Sequence, residues 1–279
     1  MDIVIREFSK ETEYRDLEQL QRDVWGIIDD TEVVPMHMLI TIQENGGVVL
    51  GAFDKENNKL IGFVFGFLGL TPNGHLKHCS HMAGIAERFR DQHLGVRLKL
   101  AQREFVLSQS IDLITWTFDP LESRNAYLNF HKLGGISNNF FRDLYGEIRD
   151  EVSGGLPSDR LYLEWNICSR RVAERINNLF FKNIEAKIVY ENIVVRGEYK
   201  NGLLYPPQKL PSINTQKLYY LIPHDISVIR GTDISLVREW HNFSRDFFEK
   251  AFSQNYTVTD FIKVEDESYY LLEKDWSQE

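Results

Sequence analysis

The amino-acid sequence predicts a mixed α/β fold, in which helices flank one sheet. Strand-like apolar runs alternate with segments of helical apolar spacing along most of the chain. Of the 279 residues, 43% are hydrophobic and 13% aromatic, which is ample for a buried core. At about 150 residues per domain, this length favours two domains.

Strand signals begin at the third residue and recur as far as residue 167. Val48 to Asp54 and Leu60 to Leu68 flank the polar turn E-N-N-K, and we therefore expect them to form a hairpin. Asp119-Pro120 ends a later strand, because the proline restricts the backbone before it. The strands predicted in this region are Ile3 to Glu7, Val48 to Asp54, Leu60 to Leu68, Leu76 to Ile85, Ile111 to Phe118 and Arg160 to Ile167.

Helix signals lie between these strands. Leu17, Leu20 and Val24 recur at helical spacing. Pro35 suits the first turn of a helix, where its missing N–H would have no partner in any case. The predicted helices are Tyr14 to Trp25, Pro35 to Ile42, Leu94 to Ser108, and one that Ser123 caps and Gly134-Gly135 end.

We predict a domain boundary near Ile167, which separates residues 1–167 from a smaller α/β region, 168–279. Gly146 to Asp159 is rich in glycine, serine and charge, and is predicted as a long loop. The elements predicted after the boundary are a helix from Arg170 to Phe180, a strand pair from Ala186 to Tyr199, a strand from Leu218 to Ile222, a helix from Asp233 to Phe252, and antiparallel strands from Tyr256 to Val264 and Ser268 to Leu272.

Composition excludes several classes of function. A net charge of -9 and a pI of about 5.5 make nucleic acid an unfavourable partner. The two cysteines, Cys79 and Cys168, form no disulfide or metal pattern. The first residues lack the layout of a signal peptide, and no apolar run approaches the ~20 residues that cross a bilayer. We therefore expect a soluble, cytoplasmic protein without nucleic-acid or membrane partners.

Two stretches carry the chemical signal. Arg90 to Gly95 reads R-D-Q-H-L-G and opens a helix, where unpaired backbone N–H groups and the helix dipole favour an anion. Ser123 to Gly134 reads S-R-N-A-Y-L-N-F-H-K-L-G and is typical of a short helix ended by glycine. Together they predict binding of a phosphorylated cofactor. The alternative for the basic residues around Arg90 is a solvated helix face paired with nearby acids.

Over about the first 165 residues, these stretches resemble the GNAT superfamily of acyl-CoA-dependent N-acyltransferases. That family holds the CoA pyrophosphate with the motif Arg/Gln-x-x-Gly-x-Gly/Ala, between its fourth strand and the next helix. Arg90-x-x-His93-x-Gly95 lies at that place, and Gln92-x-x-Gly95-x-Arg97 is an alternative register. The resemblance implies a mostly antiparallel sheet flanked by helices. The residues it assigns to acyl-CoA are Met82, Ala83, Gly84, Ile85, Arg90, Asp91, Gln92, His93, Leu94, Gly95, Val96, Asn125 and Phe130.

The second stretch resembles the last helix of the family's catalytic domain, with Ala126 and the run from Lys132 to Gly134 in register. Phe130 stands where many members have a tyrosine that protonates the departing thiolate. An acid would then come from Tyr127, His131 or Tyr145. Further likeness, in Trp116 to Pro120 and Leu161 to Trp165, is to a less-studied branch with a long C-terminal extension. That extension could be a degenerate second half of the same fold.

The resemblance implies direct acyl transfer to an amine, for which a base must remove a proton. His81, on the predicted fourth strand, is the expected base because imidazole titrates near neutral pH. A backbone N–H of that strand would stabilise the tetrahedral oxyanion. A zinc site among the nearby histidines is not expected, since His78 and His81 would point to opposite faces of a strand.

The first functional hypothesis is therefore an N-acyltransferase that uses acetyl-CoA, or another acyl-CoA, and a small primary amine such as an amino acid. Succinyl-CoA is an alternative donor, whose carboxylate Arg124 or Arg142 could bind. The second hypothesis is a non-catalytic GNAT-fold protein that senses acyl-CoA. The aromatic helix with Trp240 and Phe247 is predicted as core, although an exposed part could form a homodimer face.

Overall fold

A computed structural model describes residues 2–90, 92–146, 155–179 and 188–277 of the chain. The chain divides into two compact units, Met1–Trp116 and Thr117–Glu279. This division comes about 50 residues before the boundary predicted near Ile167, because two strands on either side of residue 150 pair within the second unit. A family-like domain over residues 1–167 stays a prediction.

The first unit is a sheet with helices on both faces. Its strands lie in the order β1-β2-β3-β4-β5, and each neighbouring pair is antiparallel except the parallel pair β4–β5. The mixed, mostly antiparallel fold is thus confirmed. The elements are β1 (Ile3–Glu7), α1 (Glu11–Trp25), α2 (Met36–Glu44), β2 (Val48–Asp54), β3 (Lys59–Leu70), β4 (Leu76–Ile85), α3 (Leu94–Ser108) and β5 (Leu113–Phe118), whose last two residues belong to the second unit.

Two apolar clusters hold the helices of the first unit on the sheet. Helices α1 and α2 cover one face, where Leu17 and Leu39 pack with Phe53 and Phe63. Helix α3 covers the other face, where its residue Leu94 packs with buried strand residues. Both faces of β2 and most of β3 are therefore buried, which explains their continuous apolar sequence.

Strand β4 has an irregularity at its centre. Phe65 of β3 pairs with Met82 and Gly66 pairs with Ser80, so His81 is the extra residue of a β-bulge. A Cβ at Gly66 would lie 2.4 Å from the Cys79 carbonyl oxygen, and glycine is therefore required opposite the bulge.

Strands β4 and β5 pair only briefly. The pairs are His78 with Ile114 and Cys79 with Thr115, after which no further pair joins the two strands within the described residues. Strand β4 nevertheless continues to Ile85. The two strands therefore separate at the bulge and leave one edge of β4 open beyond Cys79.

The second unit is also a sheet with helices, in the strand order β7-β6-β12-β13-β11-β8. Its elements are α4 (Ser123–Ala126), which continues as π-helical turns over Tyr127–Lys132, β6 (Ile136–Phe141), β7 (Arg160–Asn166), α5 (Arg170–Asn178), β8 (Ile193–Val195), β9 (Glu198–Lys200), β10 (Leu203–Tyr205), β11 (Lys217–Ile222), α6 (Ile226–Arg230), α7 (Ile234–Ser253), β12 (Tyr256–Val264) and β13 (Glu267–Lys274).

An aromatic cluster forms the core of this second sheet. The Tyr220 ring lies 4.2 Å from that of Phe247 and 6.1 Å from that of Tyr270. Trp240 and Phe247 of α7 are fully buried, so the prediction that this helix face is core is confirmed. The predicted antiparallel pair at the end of the chain is confirmed as β12 and β13.

Two sequence predictions for the second unit were wrong, and strand β6 was not predicted at all. Ser123 does not cap α4, since Glu122 occupies the N-cap and the Ser123 hydroxyl donates to the His224 carbonyl oxygen. Strands β8 and β9 do not pair with each other: β8 lies parallel to β11, and β9 pairs with β10. Residues 186–187 of that predicted strand pair, and 147–154 of the predicted loop, lie outside the described residues.

Candidate functional site

The turn between β4 and α3 leads into the start of a helix, where backbone N–H groups lack partners within the helix. The chain leaves β4 at Ile85, makes one 3-10 turn at Glu87–Phe89 and enters α3 at Leu94. The first backbone hydrogen bond across the start of the helix runs from the Arg97 N–H to the His93 carbonyl oxygen, at 3.1 Å. The N–H groups of Leu94, Gly95 and Val96 precede it, which makes this turn a suitable anion site.

His93 at the N-cap of α3 has a left-handed backbone, with φ 56° and ψ 14°. Glycine adopts this conformation without strain, whereas a residue with a Cβ pays roughly 1–2 kcal/mol. The structure therefore places His93 at a position that suits glycine, as the register Arg90-x-x-His93-x-Gly95 implies. Gln92 and His93 are exposed and Arg90 is half-buried, while Asp91 lies outside the described residues.

The basic residues near this turn do not form one anion-binding face. The Arg97 guanidinium donates to the Ile3 carbonyl oxygen at 2.9 Å, which ties α3 to β1. Arg103 pairs with the adjacent Glu104 at 2.9 Å. Lys99 is buried, and so these basic residues do not share one solvated face.

Beyond the bulge, the predicted cofactor residues of β4 alternate between its faces. Met82 packs against the α1–α2 cluster, and Ile85 packs against the α3 cluster. Ala83 is exposed and Gly84 is buried. A Cβ at Gly84 would meet the Phe63 ring at 2.9 Å, so the chain runs close to the core here. These four residues line the edge of β4 that β5 leaves open.

His81 lies on the bulge itself and is exposed. Its ring lies 5.6 Å from that of Phe65 and 6.0 Å from that of Phe67. Partial desolvation lowers the pKa of His81 below its ordinary value of 6.5. The imidazole is therefore neutral at pH 7 and can accept a proton.

A buried polar cluster lies on the opposite face of β4, between that strand and α3. The Lys99 Nζ is 2.7 Å from the Ser80 hydroxyl and 3.2 Å from the Gln102 side-chain oxygen. It also lies 3.8 Å from the centre of the Trp116 ring on β5. Burial lowers the pKa of Lys99 from 10.5 to about 7.

His78 completes this cluster. Its Nε2 accepts a hydrogen bond from the Gln102 amide at 3.1 Å, and its Nδ1 has no partner among the described residues. Desolvation, together with the charge of Lys99, lowers the pKa of His78 to about 4, so this histidine is neutral. Sequence reasoning missed the cluster. The available signal was the i, i+3 spacing of Lys99 and Gln102 on the same side of α3 as Leu98.

Two of the predicted acids lie together in the second unit. The Tyr127 and His131 rings stack with centres 4.7 Å apart. The His131 Nδ1 lies 3.1 Å from Asp260, which also accepts a hydrogen bond from Arg175 at 2.6 Å. Burial would raise the pKa of Asp260, but His131 and Arg175 more than offset this and hold it below its ordinary value. The four side chains form a part-buried network.

The other predicted residues of the second unit are separate from that network. Tyr145 is exposed, and its hydroxyl lies 3.3 Å from the hydroxyl of Thr117. Asn125 is exposed on α4. Phe130 is fully buried, with ring centres 5.8 Å from both Phe118 and Tyr270, which are the contacts of a core residue rather than of a cofactor ligand.

The described ranges contain neither a candidate membrane span nor a cluster of metal ligands. Within them, no helix combines the length and hydrophobicity needed to cross a bilayer. Nor do three or more histidine, cysteine or acidic side chains converge there as metal ligands would.

No family model matches the chain, and no curated protein matches it. Solved structures do. The NatC complex bound to Gag peptide and CoA matches at 14% identity with a TM-score of 0.49, over 60% of this chain and 99% of that chain. The ribosomal-protein-S18-alanine N-acetyltransferase from Escherichia coli matches at 11% identity with a TM-score of 0.47, over 60% and 94%.

An acetyltransferase of the GNAT family from Streptococcus pneumoniae matches at 17% identity with a TM-score of 0.47, over 58% of this chain and 98% of that chain. The proteins from Escherichia coli and Streptococcus pneumoniae are described as acetyltransferases. A likeness at these values concerns the fold, and the chemistry of the site rests on the chain's own residues.

Proposed function

We propose that the chain is a GNAT-type N-acyltransferase that moves an acetyl group from acetyl-CoA to the primary amine of a small acceptor such as an amino acid. One observation carries the proposal. Strand β4 bulges at His81 where β5 separates from it, and the chain then runs into the amide-rich turn at the start of α3. A gap between strands, a titratable group and an anion site thus follow one another along β4.

The anion site fits the pyrophosphate of CoA. The left-handed His93 turns the chain so that the N–H groups of Leu94, Gly95 and Val96 begin a 15-residue helix. Backbone donors and the helix dipole favour a phosphate there, without a requirement for side-chain charge. The pantetheine arm would then extend along the open edge of β4, where a strand-like partner is missing beyond Cys79 in the described residues.

The acyl group would reach the bulge, where His81 is the proposed general base. CoA supplies a thioester whose carbonyl the amine attacks, and the His81 imidazole accepts the proton that the amine loses. Backbone N–H groups on the open edge of β4 would stabilise the oxyanion that forms. Among the three predicted acids of the second unit, Tyr145 is exposed, whereas Tyr127 and His131 stack on each other in a part-buried network.

The charges of the second unit favour acetyl over succinyl. The guanidinium of Arg142 makes two hydrogen bonds to the carboxylate of Glu249, so its carboxylate-binding face is already used. Arg124 is exposed on α4. A donor with a free carboxylate would have to displace Glu249 or recruit Arg124, and acetyl-CoA needs neither.

His81→Ala is expected to lower kcat for thiol release from acetyl-CoA by about 100-fold, within the usual range for loss of a general base. The Kd for CoA should stay within about twofold, because the anion site lies on another element. Turnover is measured by thiol release with an amino-acid panel, and CoA binding by calorimetry.

The matched control is His75→Ala, since His75 is an exposed histidine in the turn before β4. Its kinetics should equal those of the parent. Equal turnover in the parent and in His81→Ala would remove His81 from the mechanism.

The second candidate function is an acyl-CoA sensor without turnover. The observation that favours it is Phe130, which stands at the family's tyrosine position and is fully buried in an aromatic core. The same two assays separate the candidates. CoA binding without thiol release from any amine would favour the sensor, and turnover with one amine would exclude it.

A further inference from the structure

The side chain of Lys99 reaches the fork where β4 and β5 separate. The last paired residues are Cys79 on β4 and Thr115 on β5, and Ser80 and Trp116 follow them directly. The Lys99 Nζ lies 2.7 Å from the Ser80 hydroxyl and 3.8 Å from the centre of the Trp116 ring. Lys99 of α3 thus contacts, on each strand, the first residue beyond the last β4–β5 pair.

The amine of Lys99 has contacts on both strands. Its Nζ lies within hydrogen-bonding distance of the Ser80 hydroxyl and of the Gln102 side-chain oxygen, at 3.2 Å, and over the aromatic face of Trp116. Gln102 is itself held by His78 on β4. No ion pair joins Lys99 to an acid within the described residues, so its partners there are neutral groups on β4, β5 and α3.

A lysine at this place is costly, and an apolar side chain would pack there without that cost. Burial without a counterion disfavours the charged amine, and its lowered pKa reflects this penalty. Lys99 is 5% exposed, so the cost is not relieved by solvent. Such a destabilising group at the fork is more consistent with a functional role than with packing.

We propose that Lys99 is a positioning residue, which ties β4 to β5 at their fork and so sets the placement of the thioester against the β4 bulge. The inference rests on the proposed acyl transfer, in which the pantetheine arm enters the gap between these strands. His81 is the residue after Ser80, so a shift of Ser80 moves the proposed base and the open edge of β4 together.

The first test is structural and does not depend on activity. Hydrogen–deuterium exchange is measured on the full chain and on Lys99→Met, a substitution of similar length that lacks the amine. Amide exchange in the segment from Ser80 to Met82 is expected to be about tenfold faster in the variant. Unchanged or slower exchange in this segment would overturn the proposal that Lys99 ties β4 to β5. Lys59→Met, an exposed lysine on β3, is the control and should leave exchange unchanged.

The second test is kinetic. Lys99→Met is expected to lower kcat for thiol release at least about tenfold, because a misplaced reacting group slows the chemical step. The Kd for CoA should change less than about twofold, since the pyrophosphate turn is intact. Equal kcat in variant and parent would overturn the positioning role, even if exchange were faster. Absence of thiol release in the parent would instead reject the proposed function. The exchange result would still show whether Lys99 ties β4 to β5.

A matched pair of substitutions on β5 tests the aromatic contact. Trp116→Phe keeps a ring face for the ammonium, whereas Trp116→Leu removes it. We expect exchange in the Ser80 to Met82 segment to stay near the parent value in the first variant and to rise in the second. Equal exchange in both variants would show that the ring does not hold the lysine.

Discussion

Replacement of Lys99 with methionine is expected to raise the free energy of unfolding at pH 7 by about 3 kcal/mol. The folded chain holds this amine in an apolar environment that lowers its pKa from 10.5 to about 7, whereas the unfolded chain exposes it to water. At about 1.4 kcal/mol per pH unit, this difference corresponds to roughly 5 kcal/mol against folding. The variant also loses the hydrogen bonds to Ser80 and Gln102, which lowers its free energy of unfolding by about 2 kcal/mol and leaves a net gain of about 3 kcal/mol.

The stability that Lys99→Met gains over the parent depends on pH in a characteristic way. Between pH 7 and 10.5, the unfolded parent carries a proton on Lys99 that the folded parent has lost. Stability of the parent therefore rises with pH across this window, and the advantage of Lys99→Met should shrink by about 1.4 kcal/mol per pH unit and vanish near pH 9. Below pH 7 the advantage should be constant. Urea unfolding at pH 7 and pH 10 measures it.

Lys59→Met again serves as the control, since Lys59 is exposed and should show no such dependence. A lower stability of Lys99→Met at pH 7 would mean that the buried polar cluster stabilises the fold. It would contradict the claim that buried Lys99 destabilises the folded chain. A variant that is more stable and yet slower in catalysis would separate positioning from structural support, because unfolding could not explain its loss of turnover.

Asp260→Asn is expected to lower the free energy of unfolding by about 3–5 kcal/mol. Asp260 accepts a hydrogen bond from Arg175 at 2.6 Å and lies 3.1 Å from His131, and its side chain is 13% exposed. The neutral amide would leave the Arg175 guanidinium buried without its counterion. Urea unfolding at pH 7 measures the loss, and Asp266→Asn, in the exposed turn between β12 and β13, is the control.

Acid should remove the difference between parent and variant. The pKa of Asp260 lies below its ordinary value of 3.8 in the folded chain, in spite of burial, because His131 and Arg175 stabilise the carboxylate. The stability it contributes is present above pH 3.8 and is lost as the pH falls through the lower, folded value. The difference in free energy of unfolding between the parent and Asp260→Asn should be constant from pH 7 to about 5 and should narrow below about pH 4. A gap that is constant down to pH 2 would contradict this.

The first unit could be predicted closely from the sequence. Strand β2 and most of β3 are buried on both faces, so they appear as continuous apolar runs, and β1, β2 and β4 have the predicted limits. The limits of α3 were also predicted, because a basic polar turn precedes it and its apolar face faces the sheet. Local pattern and tertiary burial agree in these elements.

The second unit was predicted less well, since tertiary contacts decide its elements. Strand β6 contains the polar run Ser137 to Asn139, and it forms a strand because β7 and β12 pair with it. Strand β8 spans only Ile193–Val195, and its partner β11 lies more than 20 residues away in the chain. No local periodicity encodes such pairings.

The candidate site likewise combines features that local sequence predicts with features that only tertiary contacts determine. The positions of the α3 turn and of His81 on β4 could be predicted from local sequence, whereas the bulge depends on the register between β3 and β4. The charged residues near Lys99 in the sequence, Arg97 and Arg103, give no sign that Lys99 is buried. Only the structure places its Nζ beside Ser80 and Trp116.

Calorimetric titration of the full chain with CoA tests the central claim most directly, since the turn at α3 and the open edge of β4 are proposed to bind this molecule. We expect one CoA per chain with a Kd of about 1–100 μM, and weaker binding by Arg90→Glu, which puts a negative charge beside the pyrophosphate. Saturable binding that Arg90→Glu weakens would support the account. No heat of binding at millimolar CoA would contradict both the acyltransferase and the sensor.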